Sequence, residues 1–316
     1  MGFLIGLFLL IGVSNGLQGD AHIFTLHRIG PADGTDTVIS PRELITLLQY
    51  CREQNYTIIT ISQLVELIRE KRPFDKVVIF TFDDGYKSVY KTALPIFKFY
   101  RAKFNLLLYV KAIQNRYRSY LNWREVQELQ EAGIEIGFHS YRHPNFLKLT
   151  PVQMEEDLNR SIAVMGNNLS HFFYFFAYPY DLSSFRTDRI VVRFFPILLN
   201  GDSIPVNRFT PLYSLPRYEC FGKLGRFKWI LKQKYLPVRL AILPTSNGVW
   251  IKGKVYGDFI PPFLYIKLIK GIRKPLVVFG RWVKLKKGKF RLFFNYPVWG
   301  MVLHLRYKNY FWQKRL

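Results

Sequence analysis

Two adjacent carboxylates, Asp83 and Asp84, follow the apolar run VVIFTF at residues 77–82 and precede Gly85. A run of this length and composition predicts a buried strand of an α/β sheet, and such sheets place their chemistry where a strand ends. Neighbouring carboxylates repel each other unless a cation, a shared proton or strong hydrogen-bond donors offset the repulsion. A divalent metal is the usual cation, whereas an ordinary Asp-Gly turn is the simpler interpretation of the same residues.

A second predicted strand end carries two histidines. The segment IEIGFH at residues 134–139 indicates a short strand, and His139 and His143 lie four residues apart. Imidazoles at this spacing within one turn point to the same side and suit a single metal ion, although surface or capping histidines show the same spacing. One carboxylate and two imidazoles leave positions open for water and substrate, which is typical of a catalytic metal site.

Three motifs in this arrangement resemble a known family. TFDDG at 81–85 and HSYRH at 139–143, followed by Pro144, resemble the first two motifs of the polysaccharide deacetylases, the NodB-homology enzymes of carbohydrate esterase family 4. FAYPY at 176–180 resembles a variant of the third motif. The resemblance covers roughly residues 22–220, which is the length of a domain.

The resemblance implies a role for each motif residue. Asp83 would be the general base, and the backbone around Tyr180 would help to hold the developing oxyanion. The implied metal ligands are Asp84, His139 and His143. Zinc is the first choice for such a ligand set, which also accommodates cobalt, iron or nickel. The implied reaction removes N-acetyl groups from an amino-sugar polymer such as poly-N-acetylglucosamine, a chitin-like chain or the peptidoglycan glycan.

The sequence departs from the family pattern at two points. Many members have an arginine where Ala177 stands, and that arginine orients the catalytic aspartate; Arg217 in Leu-Pro-Arg is the candidate replacement here. The late Leu-x-His motif that supplies a general acid in many members is not visible. His27 resembles the histidine that follows the first strand in a subset of the family, and we expect it to fill part of that role.

Three other functions fit parts of the sequence. An esterase or amidase of the same fold would act on another acyl substrate. A glycan-binding protein without turnover would retain the motifs, and Ala177 together with the missing acid motif favours it. A nucleic-acid-binding protein is suggested by the net charge of +24.

The order of predicted elements indicates the fold of residues 20–220. Short apolar strands alternate with helical segments, a pattern typical of a parallel sheet with covering helices. About seven such units precede Arg217, and an incomplete (β/α) barrel brings motifs from several strand ends to one mouth. A hydrophobic content of 49% permits a large core and excludes a disordered chain.

The first 19 residues predict export. Residues 1–13, MGFLIGLFLLIGV, are apolar and are followed by small residues suited to a signal peptidase, although the segment lacks Lys and Arg. The alternatives are an N-terminal membrane anchor or a buried first strand. We therefore expect a cell-envelope or extracellular protein, either free or attached to the membrane. Of the two cysteines, Cys51 lies in a predicted helix, which favours buried free thiols over a disulfide.

Nearly all of the positive charge lies in the last third of the chain. Residues 221–316 contain 22 Lys and Arg against a single acid, Asp258, giving +21, while the first 220 residues carry +3. Residues 221–245 are predicted to be a basic connecting segment. Alternating apolar and basic residues predict a small antiparallel β domain at 246–316, a sandwich or an oligonucleotide-binding-like barrel.

The basic faces of this domain suit an anionic partner. Lipid headgroups and envelope polymers are the expected partners, and export makes nucleic acid the less favoured one. The simpler interpretation is that lysine keeps exposed strands soluble and protects sheet edges. Because every motif residue precedes 221, attachment and chemistry are expected to be separate.

Overall fold

A computed structural model describes the chain from Asp20 to Arg315 with short gaps. The described residues are 20–31, 35, 37–208, 210–220, 222–236, 238–256, 260–270, 276–296, 298, 301–308 and 310–315. The predicted signal peptide or anchor at 1–19 lies outside them. Within these ranges, no helix is both long enough and apolar enough to cross a membrane.

The first part of the chain forms a nearly closed barrel of parallel strands. The strands of this part of the chain are β1 (Ala21–Leu26), β2 (Arg28–Ile29), β3 (Val38–Ile39), β4 (Thr57–Ile58), β5 (Val77–Phe82), β6 (Asn105–Leu108), β7 (Glu135–Phe138), β8 (Phe175–Ala177), β9 (Ile197–Asn200), β10 (Leu215–Pro216) and β11 (Tyr218–Glu219). Strands β2 and β3 form a separate two-stranded pair, and the others belong to the barrel sheet. The order around the sheet is β10, β9, β8, β7, β6, β5, β1, β11, with β4 pairing off this path with β5. The expected incomplete (β/α) barrel is confirmed.

Arg217 stands at the seam of this barrel. It separates β10, which pairs with β9, from β11, which pairs with β1. The short segment 215–219 therefore joins the two edges of the barrel sheet. Arg217, in the middle of this segment, donates a hydrogen bond of 2.7 Å from its backbone N–H to the Asn200 carbonyl. The position of the Arg217 side chain is thus fixed by the closure of the barrel.

The helices cover the barrel and begin at side-chain caps. They are α1 (Pro41–Glu53), α2 (Ile61–Arg69), α3 (Leu94–Phe99), α4 (Val110–Gln114), α5 (Trp123–Glu131), α6 (Pro151–Asn168), α7 (Phe185–Val191) and α8 (Leu224–Leu231). Ser40 and Glu43 form a capping box at α1, and Thr150 and Gln153 form one at α6. Each box satisfies backbone N–H groups that a helix start otherwise leaves unpaired.

The last helix, α8, belongs to the barrel. Its Phe227 is buried, with its ring centroid 4.6 Å from that of Phe24 and 6.2 Å from that of Phe80. The residues 221–245, expected as a connecting segment, therefore begin with a helix packed into the barrel core. They end with β13, the first long strand of the C-terminal domain.

The C-terminal domain is a sandwich of two β-sheets. Its strands are β12 (Lys234–Tyr235), β13 (Val238–Thr245), β14 (Gly248–Val255), β15 (Phe263–Lys270), β16 (Leu276–Lys284), β17 (Lys289–Phe294), β18 (Val302–Tyr307) and β19 (Tyr310–Arg315). One sheet has the order β13, β14, β17, and the other has the order β12, β19, β18, β15, β16. Inward residues of both sheets, such as Ile251, Leu264 and Leu305, form one buried cluster. The small antiparallel β domain is confirmed.

The two domains are in direct contact. Ile204, from the barrel, packs in the sandwich core, and Lys234 Nζ lies 3.5 Å from Asp20 Oδ2. Gln233 accepts a hydrogen bond from the Tyr218 hydroxyl at 2.8 Å, and its carbonyl lies 3.3 Å from His22 Nε2. Removing the chain beyond 221 would therefore strip core contacts from the barrel rather than release an independent module.

The cysteines are both buried and free. Cys51 lies in α1, and burial raises its pKa to about 12. Burial likewise raises the pKa of Cys220 to about 12. Both thiols are therefore protonated and unreactive at neutral pH, and the prediction of free thiols is confirmed.

The placement of α8 yields a stability prediction. Replacing Phe227 with alanine leaves a cavity against Phe24 and Phe80 and should lower the free energy of unfolding by about 3–5 kcal/mol. Phe99→Ala, at an exposed position of α3, is the matched control and should change it by less than about 0.5 kcal/mol. Chemical denaturation of both variants measures the difference. Similar values for the two would show that α8 is not part of the barrel core.

Candidate active site

A buried ion pair joins the seam of the barrel to the end of β5. Arg217 Nη1 donates to Asp83 Oδ1 at 2.7 Å and Nη2 donates to Asp83 Oδ2 at 2.8 Å, so the contact is bidentate. Nη1 also donates to Thr81 Oγ1 at 3.1 Å, and Nη2 donates to Asp181 Oδ1. Arg217 is 0% exposed. The guanidinium thus fixes the orientation of Asp83, as expected for the residue proposed to replace the family arginine at Ala177.

The two carboxylates that share Arg217 differ in proton affinity. Burial raises the pKa of Asp83, but the charge of Arg217, assisted by His139, outweighs burial and holds that pKa well below its usual range. Burial dominates at Asp181, where the nearby Asp83 charge adds to it, and the pKa of Asp181 is raised. Asp83 therefore keeps its negative charge to a lower pH than Asp181 does, which suits a general base.

Three donors beside Asp83 converge on one point. His143 Nε2 lies 3.2 Å from His139 Nε2 and 3.2 Å from Asp84 Oδ1, and His139 Nε2 lies 3.6 Å from the same oxygen. Tetrahedral ligands about 2.1 Å from a zinc ion stand roughly 3.4 Å apart. Asp84 Oδ1 is buried without a hydrogen-bond partner in the described structure. Both the spacing and this unsatisfied oxygen fit a bound divalent metal.

The imidazole of His139 is oriented and neutral, as a metal ligand must be. Its Nδ1 lies 2.9 Å from the carbonyl oxygen of Ala177 and donates to it, which leaves the lone pair of Nε2 facing Asp84 and His143. Burial lowers the pKa of His139 to about 4, so the ring is neutral at neutral pH. Burial raises the pKa of Asp84, but the imidazoles of His143 and His139 outweigh burial and lower it.

The loops that carry these groups hold strained backbone. Asp84, Ser140, His143, Tyr180 and Asp181 have φ between 54° and 71°, in the left-handed region that non-glycine residues rarely adopt. Each such residue costs on the order of 1–3 kcal/mol, and such residues cluster at functional sites. Five of the 13 such non-glycine residues in the described structure thus lie in the loops that carry the donor groups.

A carboxylate that the sequence interpretation overlooked supports the histidine loop. Asp157 of α6 is buried and accepts hydrogen bonds from the backbone N–H of Tyr141 at 2.7 Å and of Arg142 at 3.0 Å. Its spacing within an ordinary helical pattern gives no sign of this role, because only the fold brings α6 against the loop. Asp181 was also overlooked, although its position directly after Tyr180 offered a signal.

The remaining predicted residues lie at the same mouth. The Tyr180 ring is 61% exposed, with its centroid 4.8 Å from that of His143. His27 follows β1, and its charge is among the smaller contributions that lower the pKa of Asp83. Their roles in holding the oxyanion and supplying a proton stay predictions.

A cavity of about 230 Å³ adjoins the ion pair and extends to the sandwich domain. Its lining comprises Tyr180, Asp181, Leu182, Ser183, Gly201, Asp202, Ser203, Arg217, Glu219, Arg226, Val302 and Gln313. Val302 and Gln313 come from β18 and β19, so the C-terminal domain forms part of the wall beside the site.

Comparison with known proteins agrees with this site. The sequence signature of the polysaccharide deacetylase family matches residues 70–193. The Bacillus subtilis (strain 168) protein YxkH, whose name assigns it to the polysaccharide deacetylases, is 27% identical over 146 residues, which are 46% of this chain and 51% of that protein. The chain thus spans about half the length of this curated relative. Residues 70–193 therefore carry the sequence signature of polysaccharide deacetylases.

Solved structures of deacetylases share the fold. The Streptococcus pyogenes deacetylase PplD, solved with acetate, superimposes with a TM-score of 0.61 at 20% identity, covering 66% of this chain and 95% of PplD. IcaB from Ammonifex degensii superimposes with a TM-score of 0.60 at 24% identity, covering 68% and 97%. At these identities the likeness establishes the barrel fold.

Replacing Asp83 and Asp84 one at a time tests whether the first is the general base and the second a metal ligand. Asp83→Asn should retain metal but lower the turnover number by about 10²–10⁴-fold, because the base is removed and the three donors remain. Asp84→Asn should lose the metal itself. Elemental analysis of the folded variants measures metal content, and equal metal content in the two variants would contradict these roles.

Replacing Arg217 tests how Asp83 is held. Arg217→Ala would leave two buried carboxylates unpaired and destabilise the fold by about 3–5 kcal/mol, so Arg217→Lys, which keeps the charge but loses the bidentate contact, is the better variant. The turnover number should fall about 10- to 100-fold with little change in KM. The pKa of Asp83 should rise, which moves the acid limb of the pH-rate profile to higher pH. An unchanged profile and rate would assign Arg217 only to barrel closure.

Proposed function

We propose that the protein is a metal-dependent hydrolase that removes N-acetyl groups from an amino-sugar polysaccharide. The observation that carries the proposal is the ionised carboxylate of Asp83, held by Arg217 directly beside the donor set of Asp84, His139 and His143. The family of residues 70–193 supports a polysaccharide substrate.

The residues of the chain divide the reaction between them. A metal bound by Asp84, His139 and His143 would polarise the acetamide carbonyl and lower the pKa of a bound water. Asp83 accepts the proton of the water that attacks the carbonyl carbon. The carbon–nitrogen bond then breaks, and the products are acetate and a free amine that takes up a proton. His27 is our candidate for delivering that proton. Zinc is the metal we favour, with cobalt, iron or nickel as alternatives.

The geometry favours turnover over binding alone. Ala177 is the main argument for a non-catalytic glycan-binding protein, since it lacks the arginine of many relatives. Arg217 supplies an equivalent guanidinium, and the carbonyl of Ala177 orients His139. A binding protein would have no need to hold a carboxylate buried, ionised and aimed at a metal site.

Aromatic side chains around the mouth support a polymeric sugar as substrate. The rings of Tyr86 and Tyr120 stack at 4.6 Å, Tyr109 lies 5.3 Å from His143, and Tyr180 is exposed beside it. Rings of this kind offer apolar faces to the faces of sugar rings.

We also propose that the protein is exported and acts at the cell envelope, attached through its basic C-terminal residues to an anionic partner. The apolar N-terminal segment and the +21 charge of residues 221–316 support this proposal. Charged contacts at a wet surface are screened over about 8 Å at physiological ionic strength, so attachment should weaken as salt rises.

Acetate release from soluble N-acetylglucosamine oligomers tests the function. The wild-type protein loaded with zinc should release acetate, and His139→Ala or His143→Ala should lose metal and at least about 100-fold of the activity together. His171→Ala, at an exposed histidine, is the control and should behave as wild type. A parallel panel of acetyl esters separates a deacetylase from an esterase. Full metal content in both variants, or preference for the esters, would overturn the proposal.

A further inference from the structure

The outer face of the three-stranded sheet carries rows of adjacent cations. Across β13, β14 and β17, Arg239 pairs with Lys254, and Lys254 pairs with Lys289. In the next row with outward side chains, Lys252 pairs with Arg291. All five side chains are exposed.

The adjacency of these cations carries an electrostatic cost that a ligand of opposite charge would offset. Like charges directly opposite each other on neighbouring strands are destabilising. Among the described residues none of these cations forms an ion pair with a carboxylate, and the single acid of residues 221–316, Asp258, lies outside the described part. Solubility is served by interspersed charges of both signs, so it does not explain rows of one sign.

The same cations line a groove of about 730 Å³. Its charged lining consists of Arg239, Lys252, Lys254, Lys284, Lys286, Lys289 and Arg291. Leu240, Val283 and Phe290 also line the groove, but they pack with the sandwich core, and Phe290 is buried. The Tyr256 ring lies against Arg239 and Lys254, with cation-to-centroid distances of 5.1 Å and 4.8 Å. A shallow groove lined by exposed cations accommodates a single extended anionic chain.

We propose that this groove binds a linear anionic glycan, one whose sugars carry repeated carboxylate or phosphate groups. The proposal rests on the proposed function for its choice of a glycan, since a barrel that acts on polysaccharide explains why a second site on the chain would hold one. Spaced negative charges pair with the two cation rows, and the Tyr256 ring beside Arg239 and Lys254 offers a face to a sugar ring. The groove lies apart from the carboxylates of the barrel, so it retains polymer while the barrel deacetylates it.

Binding of hyaluronan oligosaccharides to the full chain tests the assignment. Hyaluronan is a linear glycan that alternates glucuronate with N-acetylglucosamine, and a neutral N-acetylglucosamine oligomer of equal length is the comparison. Fluorescence anisotropy with labelled oligomers, repeated at rising sodium chloride, gives the affinity and its salt slope. We expect tight, salt-sensitive binding of hyaluronan and weak, salt-insensitive binding of the neutral oligomer.

A matched pair of double variants locates the site. K254Q/R291Q removes one Lys and one Arg from the groove, and K270Q/R281Q removes the same charges from exposed positions of the other sheet. The groove variant should bind hyaluronan at least about tenfold more weakly, with the salt slope reduced by about 2. The control variant should bind as wild type, and thermal unfolding should show that both variants are folded.

The outcomes separate the groove from the active site. Equal losses of hyaluronan affinity in the two double variants, or no loss in either, would contradict binding in the groove. Stronger binding of single-stranded DNA or of phosphatidylglycerol vesicles than of hyaluronan would overturn its assignment to a glycan. Acetate release from the neutral oligomer should be the same in K254Q/R291Q as in wild type. Failure of wild type to release acetate would reject the proposed function alone, because groove binding is measured without turnover.

Discussion

The ion pair between Arg217 and Asp83 is the interaction on which the catalytic mouth depends. A buried carboxylate is costly unless it is paired, and the bidentate guanidinium both pairs it and aims it. Arg217 also holds Asp181 in the strained turn after Tyr180, so one side chain joins the end of β5 to the turn after β8. Its removal would leave two buried carboxyl groups without their guanidinium partner.

Barrel closure and site assembly are therefore the same event. Arg217 lies between the two strands at the ends of the sheet order, so its guanidinium reaches Asp83 only when the seam has formed. The sandwich domain adds to this dependence, since it packs on the barrel through Ile204 and contributes Val302 and Gln313 to the cavity beside the ion pair. Seven of the 22 Lys and Arg residues of 221–316 line one groove of this domain.

The sequence could predict what local pattern and motif spacing determine. The run VVIFTF, the histidines four residues apart and the alternating strands and helices predict the barrel and the metal donors. Asp157 could not be found this way, because its contact with the histidine loop depends on how α6 packs. Strand β13 could not be predicted, because PVRLAILPT at 237–245 shows weak alternation and its pairing with β14 becomes apparent only in the sheet. Helix α8 is difficult to predict because its sequence mixes basic and apolar residues. Its buried apolar residues face the barrel core.

The most direct test of this account is a ¹³C NMR titration of the side-chain carboxyls in the metal-free protein, with Asp83→Asn and Asp181→Asn used to assign the two signals. The account predicts that Asp83 stays ionised to the lowest pH at which the protein is folded, while Asp181 takes up its proton at a higher pH. Protonation of Asp83 before Asp181 would contradict it, because Arg217 would then not hold the proposed base in its ionised form.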